Sequence, residues 1–171
     1  SRTRVALTIR RSHARMPAMD VIVGDIHGCW EELRELLDRV GPSPRDRIVA
    51  VGDLVDRGPG AVEVFEFFRK TPNARSVMGN HERKHLASHA GRVPAASSQQ
   101  IARRLLGERY PEFLGFARDL PLFDEGKHAR VVHGFFEPGV PLERQRDNVL
   151  VGTLTGEGYL RKRYDRPWYE L

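Results

Sequence analysis

Cysteine occurs once in this 171-residue chain, at Cys29, so no disulfide can close within it. A lone thiol fits a reducing compartment, and the expectation is a cytoplasmic protein. Long apolar runs are also missing. The longest span a few residues, far below the roughly 20 that cross a bilayer as a helix, so no membrane partner is expected. The start, Ser1 to Met16, has arginines but no apolar stretch of the secretory type. There is no internal repeat and no low-complexity tract. Aromatics are not interleaved with basic residues, as a single-strand stacking platform requires. No familiar DNA- or RNA-binding motif is present either, and no nucleic-acid partner is expected.

What is present suits one domain with a substantial core. The apolar fraction of 40% and charged fraction of 30% are ordinary for a soluble globular protein. The net charge of +5 gathers at two ends, Arg2, Arg4, Arg10, Arg11 and Arg15 at one and Arg161, Lys162, Arg163 and Arg166 at the other. Residues 1–19 read as a basic arm, with a short strand over Val5–Ile9. Residues 20–171 read as the folded domain.

Within that domain strands and helices alternate. Asp20–Val23 is a short apolar strand. Trp30, Leu33, Leu36, Leu37 and Val40 fall on one helical stripe, which predicts a helix over Trp30–Val40 ended by Gly41-Pro42-Ser43-Pro44. Ile48–Val51 is a second strand. Val62, Phe65 and Phe68 mark a second helix, and Arg75–Met78 a third strand. A helix follows from His81 to about Ala90, another over Ser98–Leu106, and one over Glu112–Arg118 with Pro111 in its first turn. Arg130–Val132 is a fourth strand. The alternation argues for an α/β fold with parallel strands, whose ligands gather at the strands' carboxyl ends. Gly91–Arg118 reads as a lid or substrate-facing insert.

Each of four strand ends carries chemistry. The first is Gly24-Asp25-Ile26-His27-Gly28, where residues two apart on an extended chain point the same way and face one cation. The second is Gly52-Asp53-Leu54-Val55-Asp56-Arg57-Gly58; a carboxylate such as Asp53 has two oxygens and can bridge two cations. The third is Gly79-Asn80-His81-Glu82, with Asn80 as a neutral oxygen ligand. The fourth, His133-Gly134, adds an imidazole. Two cations about 3.5–4 Å apart would clamp a phosphate and activate water. His81, one residue beyond a ligand, is placed to protonate the leaving group, with Asp56 holding its other ring nitrogen. Arg57 can donate two parallel bonds to phosphate oxygens.

These motifs resemble those of the phosphoprotein phosphatase family of calcineurin-like metallophosphoesterases: GDxHG, GDxVDRG and GNHE are all met. The resemblance covers about Val21 to Gly139. It implies a central β-sandwich flanked by helices and two divalent ions, Mn or an Fe/Zn pair. It makes Asp25, His27, Asp53, Asn80 and His133 the metal ligands, His81 with Asp56 the acid dyad, and Arg57 the phosphate binder beside Asn80. On the bacterial serine/threonine phosphatase branch, the expected substrate is a phosphorylated protein or a small phosphoester. Phosphoserine, phosphothreonine or phosphotyrosine would be cut by a metal-bridging hydroxide.

Two features depart from the family. Its last ligand histidine, in a Gly-His pair, has no counterpart, because no histidine follows His133. A second phosphate-binding arginine would come from Arg161, Arg163 or Arg166. The catalytic domain is therefore expected to be incomplete at its C-terminus. Two alternatives stay open: diadenosine tetraphosphate hydrolysis, suggested by the Gly-Asp-x-His-Gly-Cys opening, and a non-catalytic binding module lacking the last ligand. His81-Glu82-Arg83-Lys84-His85 also matches the HExxH pattern of zinc proteases, but that reading leaves the first two motifs unexplained. His85 and His89 share a helical face and read as surface or substrate-side residues.

Overall fold

The computed structural model describes residues 18–171. The expected strand over Val5–Ile9 and the five N-terminal arginines lie outside them. Three short strands, β1 (Asp20–Val23), β2 (Arg47–Ala50) and β3 (Ala74–Ser76), form a parallel sheet in that order. β1 pairs with β2 from Asp20 opposite Arg47 to Val23 opposite Ala50, and β2 with β3 from Ile48 opposite Ala74. Parallel neighbours need a crossover, and α1 (Trp30–Val40) and α2 (Ala61–Lys70) supply the two here.

α1 has the expected bounds but a narrower apolar stripe. Leu33 is buried, while Leu36 and Val40 stay 42% and 39% exposed. Its end is fixed by Gly41 in the left-handed region (φ 63), whose N–H bonds to the Leu37 carbonyl at 2.8 Å. α2 buries Ala61, Val64, Phe65 and Phe68. These join one core with residues of α4 (Ser97–Leu106) and α5 (Tyr110–Arg118), which follow α3 (Asn80–His89). Phe65 packs edge-on to Phe113 and Phe116, with ring centroids 5.7 and 5.6 Å away. Residues 91–118 are therefore largely core-forming helix rather than a lid. Ala102, Leu106, Phe113 and Ala117 are buried against α2, and a segment so anchored cannot swing.

The fourth strand departs from the expectation. β5 (Arg130–Val132) does not extend the parallel sheet. It pairs antiparallel with β4 (Phe123–Glu125), which the sequence pattern had not revealed. Only four residues separate the two strands, closed by the Gly126 N–H to the Ala129 carbonyl at 2.8 Å. A loop that short makes a hairpin and excludes a crossover. Val131 of β5 packs with Val49 and Val77, so the hairpin forms a second layer on the parallel sheet. Asp124 on β4 and Asp20 on β1 both meet Arg47, and Arg75 reaches Asp124 at 3.5 Å. The result is an α/β fold with two sheets and flanking helices. Two further helices, α6 (Asp147–Leu150) and α7 (Leu154–Tyr164), close the described chain, the second capped by the Thr153 hydroxyl accepting the Gly156 N–H. No helix among the described residues is long and apolar enough to cross a membrane.

Phe65 is fully buried at the centre of the helix–sheet core. Phe65→Ala is expected to lower unfolding stability by about 3–5 kcal/mol in denaturant titration. Ile101→Ala, at a side chain 48% exposed, should change it by less than about 0.5 kcal/mol.

Candidate active site

Because β1, β2 and β3 run parallel in sequence order, the loops leaving their carboxyl ends lie side by side. Backbone bonds lock them. The Asp53 carbonyl accepts the N–H groups of Ile26 (3.2 Å) and His27 (2.8 Å), and the Leu54 carbonyl accepts that of Gly28 (2.7 Å). Gly58 donates to the His27 carbonyl at 2.7 Å. Here glycine is obligatory on both sides: a Cβ on Gly28 (φ +70) would sit 2.6 Å from the Gly58 carbonyl oxygen, and one on Gly58 would sit 2.5 Å from that of His27. Three non-glycine residues of these loops adopt left-handed backbone, His27 (φ 49), Asp53 (φ 53) and Arg57 (φ 80). Such conformations cost about 1–3 kcal/mol each and persist only where surrounding bonds over-determine them.

Glu82 supplies much of that determination. It is fully buried and accepts N–H bonds from Asp53 and Leu54, both at 2.8 Å, and from Gly79 at 3.1 Å. Burial pushes its carboxyl above the usual range, the Asp53 charge adds to this, and the N–H bonds oppose it. The sequence reading gave Glu82 no role of its own. Its signal was position: three residues after the helix's N-cap, a glutamate reaches back to the N-cap N–H.

The side chains so placed form two donor groups that share Asp53. His27, Asp53 and His81 offer one set of ligand atoms, all within 4.8 Å of one another, and Asp25, Asp53 and His133 offer a second. His27 Nε2 lies 3.7 Å from Asp53 Oδ2 and 3.8 Å from Asp25 Oδ2. His133 Nε2 lies 3.6 Å from Asp53 Oδ1 and 3.3 Å from Asn80 Nδ2. Its Nδ1–H donates to the Val51 carbonyl at 2.9 Å, which leaves Nε2 as the lone-pair donor. Burial lowers the His27 pKa, and the Arg57 charge adds to this against the pull of Asp53. His27 Nδ1 is buried without a hydrogen-bond partner. Imidazoles, one shared carboxylate and one exposed carboxylate at such spacing are the donor chemistry of a divalent pair. The residues fit the metals that the motifs imply.

His81 belongs to the first group by distance but differs by its partner. Its Nδ1 meets Asp56 Oδ2, while Nε2 faces Asp53 Oδ2 at 3.8 Å. The Asp56 bond is the main cause of a raised His81 pKa, with burial opposing it. For the fully buried Asp56, desolvation alone would raise the carboxyl; the bonds to His81 and His85 outweigh it and hold the group far below the usual range.

His85 corrects the expectation of a surface residue. It is fully buried, with Nε2 2.8 Å from Asp56 Oδ1 and Nδ1 3.2 Å from the Tyr110 hydroxyl. Two imidazoles four apart on α3 thus grip the two oxygens of one carboxylate. With Glu82 committed to backbone N–H groups, the HExxH pattern holds no metal of its own. The clue was the i, i+4 spacing, which puts His81 and His85 on one helical face. His89, by contrast, is exposed, as expected.

Arg57 is exposed at the rim, near enough to His27 to depress it. Of the three C-terminal arginines considered, Arg163 is bound to Glu137 at 2.8 Å, and Arg161 and Arg166 line a separate cleft with Trp168 and Tyr169. Phe135 packs against Trp168, with ring centroids 5.0 Å apart and the planes tilted by 43°. Gly134 lets the α6–α7 turn approach, its N–H bonding to the Leu150 carbonyl at 2.7 Å.

Carboxylate and imidazole donors sharing one aspartate, at strand ends of both sheets in a layered α/β fold, define a metallophosphoesterase. The model of the family described as calcineurin-like phosphoesterase matches residues 21–168, and the chain belongs to that family. Among curated proteins it is 39% identical over 142 residues to a symmetrical bis(5'-nucleosyl)-tetraphosphatase of Aromatoleum aromaticum, covering 76% of this chain and 51% of that protein. It is 37% identical over 121 residues to the protein of the same name from Erwinia tasmaniensis, covering 68% and 44%. The chain thus spans about half the length of these relatives. A solved structure described as a candidate diadenosine tetraphosphatase superposes with a TM-score of 0.61 at 28% identity, covering 88% of this chain and 68% of that one. A serine/threonine phosphatase of Saccharomyces cerevisiae shares the fold, with a TM-score of 0.54 at 20% identity over 75% of this chain and 45% of its own.

The expectation of a serine/threonine phosphatase is therefore corrected. The relatives above 30% identity are named for dinucleotide hydrolysis, and the protein phosphatase is similar in fold alone. The physical reason is that all the motifs handle metal and the attacked phosphate. Even the acid dyad expected at His81 and Asp56 would meet only the leaving oxygen, which both substrate classes share, so no motif separates a phosphoprotein from a dinucleotide.

The dyad sets a pH signature. His81, raised above 6.5, contributes stability that is complete below about 6.5 and lost as pH rises through its folded value. Asp56, depressed, contributes stability that is present above about 3.8 and lost as pH falls through its folded value. In chelator, NMR titration is expected to put the His81 midpoint above 6.5 in the native chain and lower in Asp56→Asn. The native melting temperature should decline through that midpoint, a component absent from the variant. Equal midpoints in the two proteins would contradict the coupling.

Proposed function

We propose that this chain is a metal-dependent hydrolase of dinucleoside polyphosphates, cutting a dinucleoside tetraphosphate at its centre into two nucleoside diphosphates. One conjunction carries the reading: two donor groups sharing Asp53, in a chain whose curated relatives are named for that activity. Asp25, His27, Asp53, Asn80 and His133 would hold the two divalent ions, Mn or an Fe/Zn pair. When bound, such ions supply charge to the phosphate oxygens and make a water nucleophilic at neutral pH.

The chain's own residues do the rest. Arg57, exposed and free of any ion pair among the described residues, donates to non-bridging oxygens of the attacked phosphate. Water oxygen forms a bond to that phosphorus as the water's proton passes to solvent, and the bridging P–O bond breaks. The departing diphosphate takes its proton from His81 Nε2. Asp56 holds the His81 ring charged and aimed, and His85 holds Asp56. Asn80 shares in binding the substrate phosphate. A reducing, cytoplasmic setting suits the single Cys29.

A phosphate leaving group, with a pKa of about 6, asks less of the acid than a serine alkoxide does. His81→Asn should therefore lower kcat on diadenosine tetraphosphate by about 10²-fold, the low end for a positioned acid. Asp53→Asn should abolish it. With Mn²⁺ present, the native chain is expected to release ADP from diadenosine tetraphosphate far faster than phosphate from a phosphoserine peptide. The reverse order would refute the dinucleotide reading, and turnover unaffected by Asp53→Asn would refute the site.

A further inference from the structure

A cleft of about 610 Å³ opens between α3 and the start of α7, lined by Asn80, Arg83, Lys84, Val93, Gly152 and Leu154 among others. It borders the second donor group directly. Asn80 Nδ2 is 3.3 Å from His133 Nε2, and a Cβ placed on Gly152 would lie 3.6 Å from His133 Cδ2.

The lining contains two cations and no carboxylate. Neither cation forms an ion pair among the described residues, although Arg34, Arg39, Arg69 and Lys70 on α1 and α2 all do. Unpaired cations of one sign beside a phosphate-handling site are arranged for further phosphate. The walls are apolar: Val93 is 44% exposed and Leu154 is 86% exposed. Apolar walls with a few convergent polar groups suit a sugar and base.

The other clefts lack this combination. One is acidic, with Glu31, Glu32, Glu35 and Asp38, and would repel phosphate. The cleft at Arg161 and Trp168 includes Glu157 and Asp165 and touches no candidate ligand.

We infer that this cleft seats one nucleoside diphosphate half of the substrate, with Arg83 and Lys84 on the phosphates outside the metal pair and Val93 and Leu154 against the nucleoside. The inference rests on the dinucleotide reading above and adds the residues that select for it. A phosphomonoester extends no phosphate into the cleft and gains nothing from either cation.

The test is calorimetric binding of ADP to the full Mn²⁺-loaded chain, with adenosine and inorganic phosphate as comparison ligands. Arg83→Gln/Lys84→Gln should weaken ADP binding by about tenfold or more, since hydrogen bonds to charged groups are worth about that each. Leu154→Glu, at a side chain exposed enough to take the charge without disturbing the fold, should weaken it too. The charge-matched Arg34→Gln/Arg39→Gln on α1 should shift it by less than about twofold. In parallel, the double cleft variant should raise KM for diadenosine tetraphosphate by a larger factor than KM for p-nitrophenyl phosphate. No ADP binding by the native chain, an unchanged affinity in the cleft variants, or an equal loss in the α1 control would overturn the inference. Failure of the activity reading looks different: the native chain binds ADP through Arg83 and Lys84 but does not cleave the dinucleotide. That outcome leaves the cleft assignment standing.

Discussion

The Asp53 carbonyl accepts two N–H bonds from the first loop, its own N–H donates to Glu82 on α3, and its Oδ1 accepts the His81 N–H at 3.0 Å. Three segments far apart in the chain meet at this residue, and its side chain is shared by both donor groups. To do all of this Asp53 sits at φ 53, in a conformation an aspartate rarely adopts. The strain is held by the bonds around it. The parallel order of β1, β2 and β3 matters because it brings those bonds within reach. A different strand order would leave the same motifs on the page and no site.

From this constraint the chemistry follows in layers. Burial and Arg57 lower the His27 pKa, and the bond from His133 Nδ1 to the Val51 carbonyl leaves Nε2 facing the site. Asp56 does the opposite for His81, whose pKa its hydrogen bond raises. Identical side chains take different roles because their partners differ, a carbonyl in one case and a buried carboxylate in the other. Beside these donors, α3 and the α6–α7 turn form the walls of a separate cleft. Related sites can therefore serve different phosphoesters with the same central residues.

Much of this was legible in the sequence. The stripe from Trp30 to Val40 gave α1 with its bounds, because helical periodicity and a glycine stop are local signals. The three Gly-rich motifs placed Asp25, His27, Asp53, Asp56 and Asn80 at strand ends, and the structure brings them together. What was not legible depends on tertiary context. β4 is three residues long, and its pairing with β5 is set by a hairpin rather than by an apolar run. α7 has two glycines, one threonine and four charges between Leu154, Tyr159, Leu160 and Tyr164, so its sequence carries no continuous apolar stripe. His85 looked like a surface histidine because nothing local says that α5 and Tyr110 will cover it. The serine/threonine phosphatase expectation failed for a related reason: the motifs are shared by chains named for different substrates, as the dinucleotide-hydrolase relatives and the yeast phosphatase of the same fold illustrate.

The central claim is that one aspartate joins two metal sites. The most direct measurement is Mn²⁺ stoichiometry and exchange coupling, by calorimetry and electron paramagnetic resonance on the native chain and on Asp53→Asn. The account predicts two ions per chain with the spectrum of a coupled pair, and loss of coupling with at least one ion in the variant. A single ion in the native chain, or two uncoupled ions indifferent to Asp53, would contradict it.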